Sequence, residues 1–194
     1  MDMNRNSFLR TCLPAVGLLA ASKPAFSQGT ERNRIEKGLK VNAGKDRNAK
    51  PISLFEGDTF YTKVSAKDSD GDIYVFESTR KKEGGPSYHL HYDQDEFWYI
   101  IKGRFLFKVG EETFEAKAGD TVFGPRMVPH AFSKVGNGEG KILMFFQPAG
   151  KMEEMFRKIS EGATKNMTED EMNSFRQEHG IKKVGPALKH FKKW

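Results

Sequence analysis

Thiol chemistry is almost absent from this chain: Cys12 is the only cysteine in 194 residues. One thiol makes no intrachain disulfide and cannot build a cysteine-rich zinc or iron–sulfur site. Long apolar runs are missing too. The run at residues 13–21 is too short to cross a bilayer, so stable membrane insertion is not expected. Nor does one sign of charge dominate locally. Lys and Arg number 32 against 26 Asp and Glu, a net charge of +6, and the two signs are interspersed. Without a basic stripe, nucleic acid is not an expected partner. Trp is scarce at 2, whereas Phe reaches 16 and Gly 19. That balance favours a β-rich domain with an aromatic interior, and the length suits one domain with short appendages.

Residues 1–27 read as an export signal. Arg5 and Arg10 supply a positive start, the short apolar run follows, and Ala25-Phe26-Ser27 resembles a small-residue cleavage site before Gln28. The piece Arg5-Asn6-Ser7-Phe8-Leu9-Arg10 also resembles a twin-arginine signal in which Asn6 replaces the second arginine. The expectation is an exported protein, periplasmic or secreted, that loses Cys12 with its signal. Residues 28–50 are polar, charged and free of aromatics, the composition of a flexible arm.

Short apolar segments then recur at 52–55, 59–64, 73–78, 87–92, 97–102, 105–109, 113–116, 121–123, 130–134 and 141–147. Turn residues such as Asp70-Gly71-Asp72, Gly84-Gly85-Pro86 and Gly136-Asn137-Gly138 separate them. Many short strands with regular turn signals predict a sandwich or barrel over residues 51–149. Phe105, Phe107, Phe123, Phe132, Phe145 and Phe146 are expected mostly in its core. From residue 150 to 194 the pattern becomes helical. Met152, Met155, Phe156 and Ile159 form one apolar face expected to pack on the core. Thr168 with Glu171 reads as a capping box opening a second helix, which ends near His179-Gly180.

The chemistry lies in His89-Leu90-His91, Glu96 and His130. Residues two apart on a strand share a face, so His89 and His91 project into one space. Glu96 has the opposite parity and would point away on a continuous strand. A break at Asp93-Gln94-Asp95 lets it return inward, which also turns Trp98 and Ile100 inward and Phe97 and Tyr99 outward. His130, framed by Pro125 and Pro129, starts a distant strand. Four such ligands converge only if the sheet closes on itself. Three imidazoles and a carboxylate suit Fe, Mn, Co, Ni, Cu or Zn rather than Mg or Ca, which favour all-oxygen shells. His179 and His190 lack such company and read as surface or packing residues.

The stretch GGPSYHLHYDQDEFWYIIKG, residues 84–103, and the stretch GDTVFGPRMVPH, residues 119–130, resemble the two motifs of the cupin superfamily. His89, His91, Glu96 and Gly103 keep the spacing of the first motif; Gly119, Pro125 and His130 keep that of the second. Gly84 lies one residue nearer to the first His than is usual. Met127 replaces a usual Gly and Lys134 a usual Asn. The resemblance covers about residues 50–149, and the helical tail is similar to that of small bacterial quercetin-dioxygenase-like cupins.

This resemblance implies an all-β double-stranded β-helix of jelly-roll type with a C-terminal helical appendage, one divalent transition metal on His89, His91, Glu96 and His130, and a small-molecule substrate. It further implies a metal-dependent dioxygenase acting on a flavonol or other aromatic enol, with Glu96 as ligand or proton acceptor, and a homodimer. Trp98, Ile100, Met127 and Phe132 are the candidate pocket residues. Two other readings stay open, because one fold hosts many chemistries. An isomerase, lyase or hydrolase on a small polar substrate predicts a polar pocket with Lys or Arg aimed at the ion. A non-catalytic binding or storage module predicts a metal face blocked by a side chain such as Met127.

Overall fold

The computed structural model describes residues 33–54 and 57–188; residues 1–27, expected as an export signal, and His190 lie outside the described residues. Two antiparallel sheets face each other. The six-stranded sheet runs β1 (Ile52–Leu54), β2 (Asp58–Val64), β3 (Tyr74–Arg80), β10 (Gly140–Gln147), β5 (Asp95–Lys102) and β8 (Thr121–Gly124). The five-stranded sheet runs β11 (Ile181–Ala187), β4 (Ser87–His91), β9 (His130–Val135), β6 (Arg104–Val109) and β7 (Glu112–Lys117). Neighbours in each sheet are mostly distant in sequence, as in a jelly roll.

Alternation sets the faces. Along β10, Ile142, Met144 and Phe146 are buried, whereas Lys141, Leu143 and Phe145 between them are less so. The inward residues of both sheets meet in one aromatic core that includes Phe60, Phe76, Trp98, Phe105, Phe107, Phe132 and Phe146. Fully burying one such side chain stabilises by about 1.5–3 kcal/mol. Phe123 does not join this core. It is 54 % exposed on the outer face of β8, opposite Phe97, whose ring stacks on Phe145 at 4.7 Å. The row is outward because Val122, with the opposite parity, takes the inner side.

The helical tail forms α1 (Met152–Ser160) and α2 (Glu169–Glu178), and the capping box of Thr168 and Glu171 is present. Two expectations need correction. The tail is not wholly helical: Ile181–Ala187 returns as β11 along the edge of β4, pairing Ile181 with His91 and Lys183 with His89. Pro186 argues against a central strand but suits an edge one. Likewise, residues 33–50 do not form a free arm. Asp46 accepts the Thr62 amide at 2.7 Å, the Arg47 amide donates to the Thr62 carbonyl at 2.7 Å, and the Arg47 guanidinium pairs with Asp68 at 3.3 Å. Composition signals solubility there, but long-range partners dock the segment. Among the described residues no helix is long and apolar enough to cross a membrane.

The turn before β9 crosses the end of β4. The Met127 amide donates to the His91 carbonyl at 2.8 Å, and Arg126 pairs with Asp95 at 2.7 Å. Met127 has φ of 64°, the left-handed region that favours glycine, and its side chain is 58 % exposed. Relief of that strain outweighs the extra chain entropy of glycine, so Met127→Gly is expected to stabilise the fold by about 0.5–1 kcal/mol. Thermal unfolding checks this; a lower melting temperature contradicts it.

Candidate metal centre

Three strands from the two sheets bring the donors together. His89 and His91 lie on β4, Glu96 near the start of β5 and His130 at the start of β9, where it pairs directly with His89. The chain breaks between His91 and Asp95, and that break restores Glu96 to the inner face with Trp98 and Ile100. All four donor atoms lie within 4.8 Å of one another. His130 Nε2 is 3.1 Å and His91 Nε2 3.2 Å from Glu96 Oε2. Neighbouring ligands held about 2.1 Å from one ion stand roughly 3.0–3.4 Å apart, so these spacings fit a shared cation.

The hydrogen bonds favour the same reading. His89 Nδ1 lies 2.7 Å from the Ser87 carbonyl and His130 Nδ1 3.0 Å from the Val128 carbonyl. A carbonyl only accepts, so each Nδ1 carries the proton and a neutral ring presents its Nε2 lone pair inward. His130 Nε2 then faces the Glu96 carboxylate, another acceptor, and the contact needs either a second proton or a cation between them. His91 adds a buried ring with no hydrogen-bond geometry at either nitrogen, despite its closeness to Glu96. The cluster could therefore hold a metal ion, and its donor set leaves coordination positions open on a five- or six-coordinate ion.

Burial pushes the His89 imidazole down to about 3, helped by the neighbouring His91 and His130 rings. Burial alone would raise Glu96, but the close approach of His130 and His91, whose Nε2 atoms stand 3.1 and 3.2 Å from Oε2, outweighs it and holds the carboxyl at about 2. Both shifts keep the donors in their metal-binding protonation states.

His89, His91 and Glu96 open onto a cavity of about 500 Å3, while His130 is packed behind them against Trp98, ring centroids 5.2 Å apart. Of the four expected pocket residues, Phe132 alone lines this cavity. Trp98 and Ile100 are fully buried in the core, where the indole supports His130 from behind, and Met127 points to solvent. The wall comes instead from Leu54 and Phe60, from Met144 and Phe146 of β10, from Ile181 of β11, and from the apolar face of α1. Parity identifies inward residues but not which inward residues border empty space. The α1 stripe both packs on the core and lines the cavity, so core packing describes only part of its role.

Two further residues escape the sequence motifs. Arg80 lines the cavity, bonded to Asp58 at 2.8 Å. Gly124 sits opposite Glu96 on β8, where a Cβ would meet the Trp98 ring at 2.6 Å and His130 Nδ1 at 3.1 Å. Only glycine lets the supporting indole and the ligand share that space.

Comparison with known proteins places residues 75–146 in a match to the family model described as Cupin domain. An uncharacterised protein of Methanocaldococcus jannaschii is 42 % identical over 60 residues, which are 31 % of this chain and 48 % of that protein. The chain thus spans about half the length of this curated relative. Among solved structures, an RmlC-like cupin from Shewanella frigidimarina is 18 % identical, with a TM-score of 0.44, covering 54 % of this chain and 87 % of that one. A predicted oxalate decarboxylase from Thermotoga maritima is 19 % identical, with a TM-score of 0.46, covering 51 % and 90 %.

In chelator-treated protein, stability should fall as pH drops below about 6.5. The unfolded chain protonates its histidine there, whereas folded His89 resists protonation until about 3, so the unfolded state binds more protons in between. Glu96 adds the same sign below its ordinary value of 4.5. Melting temperature against pH measures the slope, and His89→Gln should flatten its upper part; an unchanged slope in that variant rejects the assignment. Gly124→Ala should weaken metal binding by about 10–100-fold through the displaced His130 or Trp98. Competition with a coloured chelator reads this directly, and wild-type affinity would rule it out.

Proposed function

The chain belongs to the cupin superfamily, and we propose that it holds one divalent transition metal and acts as a dioxygenase on a flavonol or another aromatic enol. The cavity wall at the donor cluster carries this reading. Phe60, Phe132, Phe146 and Phe156, with Met152 and Met155 of α1, present aromatic rings and thioethers to the space in front of His89, His91 and Glu96. A flat aromatic substrate buries its rings there, while its enol oxygens reach the open side of the donor set. A small polar substrate would leave most of that wall without a partner. Met127, which would block the face in a non-catalytic module, is not part of the wall.

When bound, the ion supplies Lewis acidity to the enol oxygen and a position for dioxygen beside it. Fe, Mn, Co, Ni and Cu suit the donors and that role; Zn suits the donors and the Lewis-acid part alone. Glu96, held at about 2, is a poor proton acceptor while the imidazoles surround it. Its first role is therefore an anionic ligand, and it accepts the substrate hydroxyl proton only as those contacts loosen. Export by residues 1–27 and assembly as a homodimer belong to the same proposal.

Protein loaded in turn with Fe, Mn, Co, Ni and Cu and mixed with a flavonol panel should consume oxygen, and His91→Ala should abolish the uptake. An oxygen electrode makes the measurement. No uptake with any of the five metals sinks the dioxygenase.

A further inference from the structure

The outer surfaces of the two sheets differ in character. On the five-stranded sheet, the outward residues of β6 and β7 pair as Arg104 with Lys117, Leu106 with Glu115 and Lys108 with Thr113, a largely polar face. On the six-stranded sheet, the outward residues of β8, β5 and β10 are mostly apolar. Phe123, Phe97 and Phe145 form one continuous row, which Val75 of β3 extends. Tyr99 and Leu143 form the next row, and Ile101 follows Tyr99 on the same side of β5. Phe123, Tyr99 and Ile101 are 54 %, 40 % and 41 % exposed. Single exposed apolar residues are ordinary, but adjoining rows of them mark a surface that another molecule covers.

Paired charges border these rows. Along one side, ion pairs join Lys63 to Glu77 at 3.4 Å, Glu77 to Lys141 at 3.7 Å, Lys141 to Glu139 at 3.7 Å and Glu139 to Lys102 at 3.5 Å. At the other end, two residues before Phe97, Asp95 pairs with Arg126 at 2.7 Å. An apolar centre inside a polar rim is the anatomy of a protein interface. Each of these four cations already has a carboxylate, so they offer no basic collar to anionic lipid headgroups.

Shape and area select a second copy of this chain. Two sheets of the same right-handed twist pack face to face, about 10 Å apart and about 30° off parallel, so the face is its own complement. Signs alternate along the rim, so a two-fold-related copy meets mixed charge rather than like charge. Each outward residue covers roughly 33 Å2 of sheet, and the outward residues of β2, β3, β10, β5 and β8 together span on the order of 500 Å2. Side chains standing off the sheet bring this to about the 600 Å2 per partner at which stable interfaces begin.

We propose that the outer face of the six-stranded sheet is the interface of an isologous homodimer, centred on Phe97, Phe123, Phe145 and Tyr99. This rests on the homodimer part of the reading above and gives it a surface. Phe97 stands between Glu96 and Trp98 on β5, whose side chains are buried on the inner side. The interface therefore also backs the strand that brings the carboxylate to the donor cluster.

Sedimentation velocity of the full chain over a micromolar concentration series measures the dimer constant. The wild type is expected to sediment as a dimer. Phe123→Lys with Tyr99→Lys, at two positions that already face solvent, should raise the dissociation constant about 30-fold or more. Phe123→Ser with Tyr99→Ser should weaken the dimer in the same direction without added charge. Thr113→Lys with Glu115→Gln adds the same two positive charges to the polar outer face of the other sheet and should leave the constant unchanged. Circular dichroism and thermal unfolding verify the fold of each variant. A dimer indifferent to both Phe123 and Tyr99 pairs removes this face while the homodimer stands; a monomeric wild type removes both. Equal weakening by the Thr113 and Glu115 pair overturns the face as well. A monomer that floats with phosphatidylglycerol vesicles assigns the rows to a lipid surface and overturns the dimer. Oxygen uptake is a separate readout, so the dioxygenase can fail while this interface stands, and the reverse.

Discussion

Glu96 is a carboxylate withdrawn from water and ringed by three imidazoles, two of which have committed their Nδ1 protons to backbone carbonyls. A buried anion without a counter-charge is strongly destabilising, and neutral rings that offer lone pairs do not supply one. Protons or a cation must complete the site. The rest of the barrel makes that arrangement possible. β4 and β9 bring the histidines from one sheet, β5 brings the carboxylate from the other, and Gly124 with Trp98 fills the space behind His130. Open the barrel and the donors separate; close it and they form a cluster that could hold an ion.

Most of the strand pattern was legible because alternation is a local signal, and each of the ten apolar segments between residues 52 and 147 overlaps a strand over most of its described residues. The inward return of Glu96 was legible for the same reason, since a parity break is visible in one stretch of chain. Three features were not. β11 has no alternation to announce it, carries Gly185 and Pro186, and forms only because β4 offers a free edge. The segment before β1 looks unstructured because Asp46 and Arg47 find partners on β2 and beyond it that no local pattern predicts. Phe123 was misplaced by composition where parity was available: its neighbour Val122 is the inward residue.

The candidate metal ligands and the cavity wall differ in how they are encoded. The ligands sit in two contiguous motifs, where spacing alone distinguishes them. The wall is assembled from β1, β2, β3, β9, β10, α1, α2 and β11, and each contributor is an ordinary residue in its own local context, most of them apolar. Arg80 illustrates the point. On the sequence it is one arginine among many; in the fold, Asp58, the Gly84 carbonyl and the Phe132 ring fix its plane against the cavity.

That difference bears on what the C-terminal segment is for. α1 gives the cavity Met152, Met155, Phe156 and Ile159, α2 gives Met172 and Arg176, and β11 gives Ile181 while pairing with the strand that carries His89 and His91. Glu153 locks α1 to the barrel by accepting from Ser65 Oγ at 2.7 Å and from the Ala66 amide at 2.9 Å. The segment after residue 150 therefore builds much of the chamber wall and braces the ligand strand from its outer edge. Without it the donors would face water, where Lewis-acid chemistry competes with solvent; with it they face an apolar chamber. The barrel positions the four donors, and the added helices and strand shape the chamber in front of them.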